Sequence, residues 1–405
     1  MKKTIFMDYQ STTPVDKRVL DAMAPYFTEV YGNPSSRNHQ FGWEAEDAVK
    51  ASRETVATAI GAKESEIIFT SGATESNNLA IFGVAEMYRE KGNHIITCAT
   101  EHNAVLDPCE TLEKRGYKVT RLIPQADGII DLSDLEKAIT SETILVSIMY
   151  VNNEIGVIQP IAEIGKICRA RGVLFHTDAT QAVGKIPVCV EKDSIDLLSM
   201  SSHKFYGPKG VGALYVRRRN PRVRLSPLVH GGGQERGMRS GTLNVPGIVG
   251  MAKALELCLQ EMPEETVRLN NLRNRFETQV MGALDYCFIN GNRDRRIAGN
   301  TNISFAYVEG EGLMMAMPEI AVSSGSACTS SSLEPSHVLK ALGVKDELAH
   351  SSIRFGFGRF STEEEVDFAA SKVVLAVKRL RELSPLYEMV MEGIDLSTVK
   401  WTDHH

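Results

Sequence analysis

The sequence predicts an open α/β fold around a parallel sheet, on two observations. From about residue 66 to residue 216, short apolar runs alternate with stretches of helical periodicity, the pattern of strands joined by crossover helices. Polar residues gather where the apolar runs stop, and open sheets of this kind bind ligands at the carboxyl edge of their strands.

In chain order, Asp8 to Pro14 is polar and turn-like, and residues 15–31 have helical periodicity up to a Gly32-Asn33-Pro34-Ser35-Ser36 break. A second helix is expected from about Trp43 to Ile60, then a strand over residues 66–70. Ser71-Gly72-Ala73-Thr74-Glu75-Ser76-Asn77 leads into an amphipathic helix, residues 79–91. A strand, a glycine turn and a helix start make an anion site, with Thr74 adding a hydroxyl; an ordinary capped helix reads the same way. Strand 94–98 ends at Thr100-Glu101-His102, where a histidine either stacks on a flat cofactor or serves structure alone. Strand 118–123 and helix 132–139 precede the strongest apolar run, 143–151, which stops at Asn152-Asn153. Asn153 is placed to bond a cofactor oxygen or a substrate carboxylate, or to make the turn. Helix 161–171 returns to the strand that ends in His176-Thr177-Asp178.

The next apolar run, residues 195–200, ends at Ser201-Ser202-His203-Lys204. A lysine there can form a Schiff base with an aldehyde cofactor, while Ser201 and His203 can bond a phosphate. Alone, four such residues read as a surface loop. Asp178 changes this, because an aspartate at a strand end can hold a protonated pyridine nitrogen opposite the lysine. The pair points to pyridoxal phosphate.

After strand 211–216 come five arginines in eight residues, Arg217 to Arg224, expected as a solvated face or a protein-docking patch. His230-Gly231-Gly232-Gly233 has no G-x-S-x-G to accompany it and reads as a turn rather than an oxyanion loop. Residues 245–284 are helical with a break expected at Pro263. Strands near residues 286–289, 301–308 and 352–356 and a long helix, 362–383, indicate a smaller second domain.

With 405 residues, 43% hydrophobic and 24% charged, the chain has room for two or three domains. A formal net charge of -6 argues against nucleic acid and membrane surfaces as direct partners. No apolar run approaches the ~20 residues of a membrane span, and the first residues lack the apolar core of a signal peptide, so a cytoplasmic location is expected. Seven cysteines, widely spaced and without C-x-x-C, indicate neither a disulfide framework nor an intrinsic metal site. Most suit a small buried hydrophobe. Cys328 lies instead among small polar residues, Val322 to Leu333, as expected of an exposed flexible loop carrying a reactive thiol.

With Asp178, Gln181, the Ser201-x-His203-Lys204 run and the Cys328 loop in one chain, the sequence resembles the cysteine desulfurases of iron–sulfur assembly, a group of the class-V aminotransferases. The similarity runs from Asp8-Tyr9 to Pro385-Leu386. It implies a fold-type I pyridoxal-phosphate transferase, dimeric, with a large, mainly parallel seven-stranded domain and a smaller α+β domain. The implied divisions are residues 1–15, joining the small domain; 16–260, binding the cofactor; 261–383, with a mobile cysteine loop at 323–333; and 384–405, a docking tail.

By the same resemblance Lys204 carries the cofactor, Asp178 pairs its ring nitrogen, and His102 stacks on the ring and acts as acid or base. Ala73, Thr74, Ser201 and His203 look like the phosphate site, and Gln181 like the partner of the phenolic oxygen. Asn153 and Arg354 are implied near the substrate carboxylate, and Thr242 at the neighbouring subunit's phosphate. The implied reaction converts L-cysteine to L-alanine, with sulfur held as a persulfide on Cys328 and passed on for iron–sulfur assembly and tRNA thiolation. Implied partners are a second copy, an iron–sulfur scaffold, a frataxin-like protein and sulfur acceptors, with Cys328 as a transient ligand of a nascent cluster. Ser202 stands where the family usually has glycine, and Pro318 interrupts the segment before the cysteine loop.

Two other readings share part of this pattern. A fold-type I aminotransferase would use Asp178 and Lys204, need no loop thiol and release a keto acid. A non-catalytic docking subunit would present its arginines and apolar tail but have no use for lysine, aspartate and thiol together. Selenocysteine suits the same attack as cysteine.

Overall fold

The computed structural model describes residues 4–324 and 335–394. It divides into a larger unit, Gln10–Thr266 with Asn292–Ile297, and a smaller one that takes Tyr9 and the residues before it, Val267–Gly291 and the chain from Ala298 onward. Strand β1 (Ile5–Phe6) belongs to the smaller unit. The larger holds β2 (Ile67–Thr70), β3 (His94–Cys98), β4 (Lys118–Leu122), β5 (Thr143–Ser147), β6 (Leu174–Asp178), β7 (Leu197–Ser201) and β8 (Gly212–Val216).

These seven strands form one sheet in the order β2-β8-β7-β6-β5-β3-β4. Every pairing is parallel except those of β8, which runs antiparallel to both β2 and β7. β2, β3, β5, β6, β7 and β8 are buried at every residue, as expected of strands covered on both faces by helices, whereas β4, at the sheet edge, is mostly half-exposed. Ile68, Ile95, Leu145, Leu174, Leu197 and Leu214 share one core cluster with Leu79, Val84 and Val105 from the covering helices.

In the smaller unit, β9 (Cys287–Ile289), β10 (Asn300–Phe305), β12 (Ser323–Ser324) and β13 (Ser352–Gly356) form an antiparallel sheet in the order β12-β13-β10-β9. β11 (Ile320–Ala321) pairs in parallel with β1. Phe276, Phe305, Phe355 and Phe357 pack there with Val366 and Val373 of the helix Glu363–Glu382, which opens on a Thr362/Glu365 capping box.

Several elements differ from the sequence reading. The helix expected over residues 15–31 is two short ones, Lys17–Met23 and Pro25–Thr28, because Pro25 takes a first-turn position and restarts the helix. The helix expected from Trp43 begins at Gln40, where His39 Nδ1 accepts from Gly42 N at 3.2 Å. Pro263 does not break its helix: Val245–Ala283 is continuous, with Leu255 and Cys258 buried before the proline and Leu272 and Phe276 after it. Burial on both sides outweighs the missing N–H. The arginine run is not a uniform surface patch, since Arg217 is 4% exposed and bonds Glu191, Asp196 and the carbonyls of Val190 and Ile195. Among the described residues no helix is long and apolar enough to cross a membrane.

Candidate active site

Because β2, β3, β5, β6 and β7 run parallel, their C-terminal ends fall at one edge of the sheet. To that edge they bring Gly72 and Ala73, His102, Asn152 and Asn153, Asp178, and Ser201 with the 3-10 turn Ser202–Lys204. The stop of each apolar strand thus becomes a place for chemistry.

Asp178 is 5% exposed, and each carboxylate oxygen has a named donor. Asn77 Nδ2 donates to Oδ2 at 2.7 Å and Thr180 N to Oδ1 at 2.9 Å. Asn77 is fully buried one turn into the helix Ala73–Met87, so the helix that opens the anion site also orients the aspartate. Two residues back on β6, the buried His176 lies between hydroxyls of both neighbouring strands, Ser147 Oγ at 2.8 Å and Ser199 Oγ at 3.0 Å. Burial pushes its pKa down to about 4, so the ring is neutral near pH 7.

The candidate anion site rests on close backbone approach. Gly72 takes φ +154°, a conformation that favours glycine, and a Cβ there would stand 3.6 Å from Ser201 Oγ. A Cβ on Gly212 would come within 2.6 Å of Gly72 Cα, so the start of β8 lies against this turn only because residue 212 lacks a side chain. The helix begins at Ala73, six residues earlier than its periodicity suggested, which puts the free first-turn N–H groups at Ala73 and Thr74. Glu75 braces the turn: Oε2 accepts from Ser71 N at 2.7 Å and Oε1 from Arg239 Nε at 2.8 Å. Burial opposes the charge of Glu75, yet the bonds from Arg239 and Ser71 hold its carboxyl below the usual range. Thr242, three residues beyond Arg239, is exposed.

Lys204 Nζ donates to the carbonyls of Gln10 and Ser11 at 2.7 and 2.6 Å. Gln181 Nε2 reaches the same Gln10 carbonyl at 2.8 Å, and Lys185 Nζ donates to Gln181 Oε1 at 2.5 Å. Thr13 N and Oγ1 both donate to the carbonyl of His203, pinning the lysine turn from the front. His203 Nδ1 lies 3.0 Å from Thr12 Oγ1; burial, then the cations Lys204, Lys209 and Lys185, push its pKa down to about 4.

His102 caps the helix Asn103–Lys114, its Nδ1 accepting from Ala104 N at 3.0 Å. The proton of its neutral ring therefore sits on Nε2. Glu101 beside it is fully buried and accepts from Met149 N at 2.6 Å; burial, then the charge of Asp178, drives its carboxyl well above the usual range. Of the two asparagines after β5, Asn152 makes the turn: its Oδ1 accepts from Glu154 N and Ile155 N, and its Nδ2 donates to Thr100 O. Asn153 is half-buried beside it.

Arg354 belongs to the smaller unit, on β13, 3% exposed, with Nη2 2.7 Å from Asp8 Oδ1. Ser323 Oγ donates to the other oxygen of Asp8 at 2.7 Å. Cys328 and its loop from Gly325 lie outside the described residues, as does the tail beyond Ile394. Burial pushes the thiols of Cys98, Cys109 and Cys168 up to about 11, 12 and 12 and raises that of Cys287, the opposite of nucleophile activation.

An amine, a carboxylate with both oxygens held, and a cradle of free N–H groups beside hydroxyls fit an aldehyde cofactor that carries a basic ring nitrogen and a phosphate. Sequence reasoning missed Asn77 and Lys185. Each stands four residues from a recognised one, Ala73 and Gln181, a spacing that on a helical turn shares a face.

The profile of the class-V aminotransferases matches residues 5–368. A curated relative named "Cysteine desulfurase IscS" from Anaeromyxobacter dehalogenans (strain 2CP-C) is 59% identical over 405 residues, the full length of both chains. A protein of the same name from Rickettsia massiliae (strain Mtu5) is 58% identical over 400 residues, 99% of this chain and 97% of its own. Among solved structures, a "NifS-like protein" superimposes with a TM-score of 0.86 at 39% identity, over 93% of this chain and 99% of that one. "SspA in complex with cysteine" gives 0.79 at 38% identity, over 89% and 100%. This chain belongs to the class-V aminotransferase family, in its cysteine desulfurase group.

Proposed function

We propose that this protein is a pyridoxal-phosphate-dependent cysteine desulfurase that converts L-cysteine to L-alanine and passes the sulfur, through Cys328, to acceptors for iron–sulfur assembly and tRNA thiolation. The observation that carries the reading is the convergence of Lys204, Asp178 and the Gly72 anion turn on one sheet edge. Full-length similarity to proteins named cysteine desulfurase supports it.

Pyridoxal phosphate, when bound, supplies an electron sink for the α-carbon of an amino acid. Lys204 is the residue that would hold it covalently and, once released, move a proton as base. Asp178, locked by Asn77 and Thr180 N, would hold the ring nitrogen in its protonated form. Ala73, Thr74, Ser201 and His203 would take the phosphate, Gln181 the phenolic oxygen, and Thr242 the phosphate of a second subunit. His102 would lie against the ring, with the proton of its neutral form on Nε2. Asn153 and Arg354 would receive the substrate carboxylate.

Cys328 would attack the substrate sulfur as a thiolate. A sulfur–sulfur bond forms and the carbon–sulfur bond breaks. The electron pair of the broken bond stays on the substrate carbon, which takes a proton and becomes the methyl of alanine. No outside oxidant is needed, because sulfur is oxidised as that carbon is reduced. The working assembly we propose is a homodimer that hands its persulfide to an iron–sulfur scaffold assisted by a frataxin-like protein, with residues 384–405 as the docking tail.

Anaerobic incubation with L-cysteine and a thiol, measuring alanine and sulfide, tests the activity. The proposal predicts equal amounts of both. A keto acid in place of alanine would establish the aminotransferase reading instead.

A further inference from the structure

Building on the cofactor reading above, we propose that Lys185 is a positioning residue that fixes which end of the Gln181 amide faces Lys204. The two side chains stand four residues apart on the helical turn after β6, where Val183 N bonds Ala179 O and Ile186 N bonds Ala182 O, so they share a face. Lys185 Nζ donates to Gln181 Oε1 at 2.5 Å. An ammonium offers three donors and no acceptor, so only the carbonyl end of the amide can meet it. The NH2 end is thereby turned the other way, onto the Gln10 carbonyl at 2.8 Å. That same carbonyl accepts from Lys204 Nζ at 2.7 Å, which brings the Gln181 amide hydrogens beside the amine that would carry the cofactor.

The two ends of a glutamine amide have nearly the same shape, so packing does not choose between them; the Lys185 ammonium and the Gln10 carbonyl select the same end, and without Lys185 the Oε1 end loses the cation that holds it. The choice has a chemical consequence. Pyridoxal phosphate carries its phenolic oxygen next to the aldehyde carbon, and therefore next to the nitrogen of whichever lysine holds it. An N–H directed at that oxygen stabilises its anionic form and weakens its hold on the proton of the lysine nitrogen. A carbonyl there would do the reverse.

Losing Lys185 should therefore raise the pH at which that proton leaves. The charged and titratable groups around Lys204 are Asp178 at the end of β6, Lys185 on the turn that follows it, and His203 and Lys209 beside the lysine. His102 stands at the same sheet edge. A lost cation at position 185 would act in the same direction as a flipped amide, so the test must separate the two.

The full-length holoprotein is prepared as wild type, Lys185→Met, Lys185→Arg, Gln181→Leu and the double variant, each in excess pyridoxal phosphate. The readouts are the pH midpoint of the visible absorption of bound cofactor and its affinity by equilibrium dialysis. Lys185→Met should raise the midpoint by about one pH unit, the worth of one hydrogen bond to a charged oxygen. Lys185→Arg, which keeps a donor, should restore it to within about a third of that rise. In the Gln181→Leu background Lys185→Met should add about half of that rise or less, the share owed to the lost cation, and a larger share overturns the proposal. An unmoved midpoint in Lys185→Met overturns the proposal, and so does an equal rise with and without Gln181. Should the wild type itself show no visible cofactor band, the cofactor reading fails, and the inference with it.

Discussion

Replacing Asn77 by alanine removes the side-chain donor from Asp178 and leaves Thr180 N in place, which isolates one bond of the buried network. Asn77 is fully buried and Asp178 5% exposed, so little water can reach Oδ2 in compensation. A hydrogen bond to a charged group contributes about 1.5–3 kcal/mol, and an unsatisfied buried acceptor costs as much. The variant should therefore lose roughly 2 kcal/mol of stability and bind pyridoxal phosphate more weakly, because its aspartate is free to turn. Urea unfolding of wild type, Asn77→Ala, Asp178→Asn and the double variant forms the assay. The coupling between the two sites should come out at about 1.5 kcal/mol or more. A coupling below about 0.5 kcal/mol would refute the claim that Asn77 holds Asp178.

Three further outcomes follow from the same structure. Lys204→Ala should fold normally, retain no cofactor linkage reducible by borohydride and lose turnover; a reducible linkage in the variant, mapped by mass spectrometry, would move the assignment elsewhere. The folded-state pKa of His176 and of His203 is depressed, so the stability they contribute is full above about pH 6.5 and falls away as the pH drops toward 4. For the fully buried His176 the loss is on the order of 3 kcal/mol, and His176→Asn should flatten the fall in unfolding midpoint between pH 7 and pH 4.5; an unchanged slope would count against it. Arg217→Ala should cost about 1–3 kcal/mol, since it removes one of the two arginines that meet the buried Asp196 and leaves Arg169 Nη2 at 2.9 Å, whereas the exposed Arg222→Ala should stay within about 0.5 kcal/mol in the same denaturation assay.

The sheet was legible because β5, β6 and β7 each carry apolar residues and end on a polar one, and a strand buried on both faces favours apolar side chains. Strand direction was not. Gly212-Ala213-Leu214-Tyr215-Val216 is as apolar as its parallel neighbours, and only the short return after Lys204 turns β8 around. Two-residue strands such as β1, β11 and β12 carry no periodicity at all and exist because the chain beside them pairs. At the candidate site, the placement of Lys204 and Asp178 at strand ends could be read directly, because each follows a mostly apolar run. Asn77 and Lys185 could not, because an asparagine in a capping stretch and a lysine after a strand acquire meaning only from what the fold brings against them.

The central claim is that sulfur leaves cysteine by transfer to Cys328. The direct measurement is anaerobic reaction of the wild type and Cys328→Ser with sulfur-labelled L-cysteine, alkylation of the products, and mass spectrometry of the peptides alongside alanine assay. The wild type should carry the label on Cys328, with one alanine released for each labelled thiol in a single turnover. Cys328→Ser should still perturb the cofactor absorption on adding cysteine while releasing almost no alanine, since a hydroxyl at neutral pH is neither the nucleophile nor a carrier of transferable sulfur. Label on Cys98, Cys109, Cys168, Cys189, Cys258 or Cys287, or near-normal alanine from Cys328→Ser, would contradict the account.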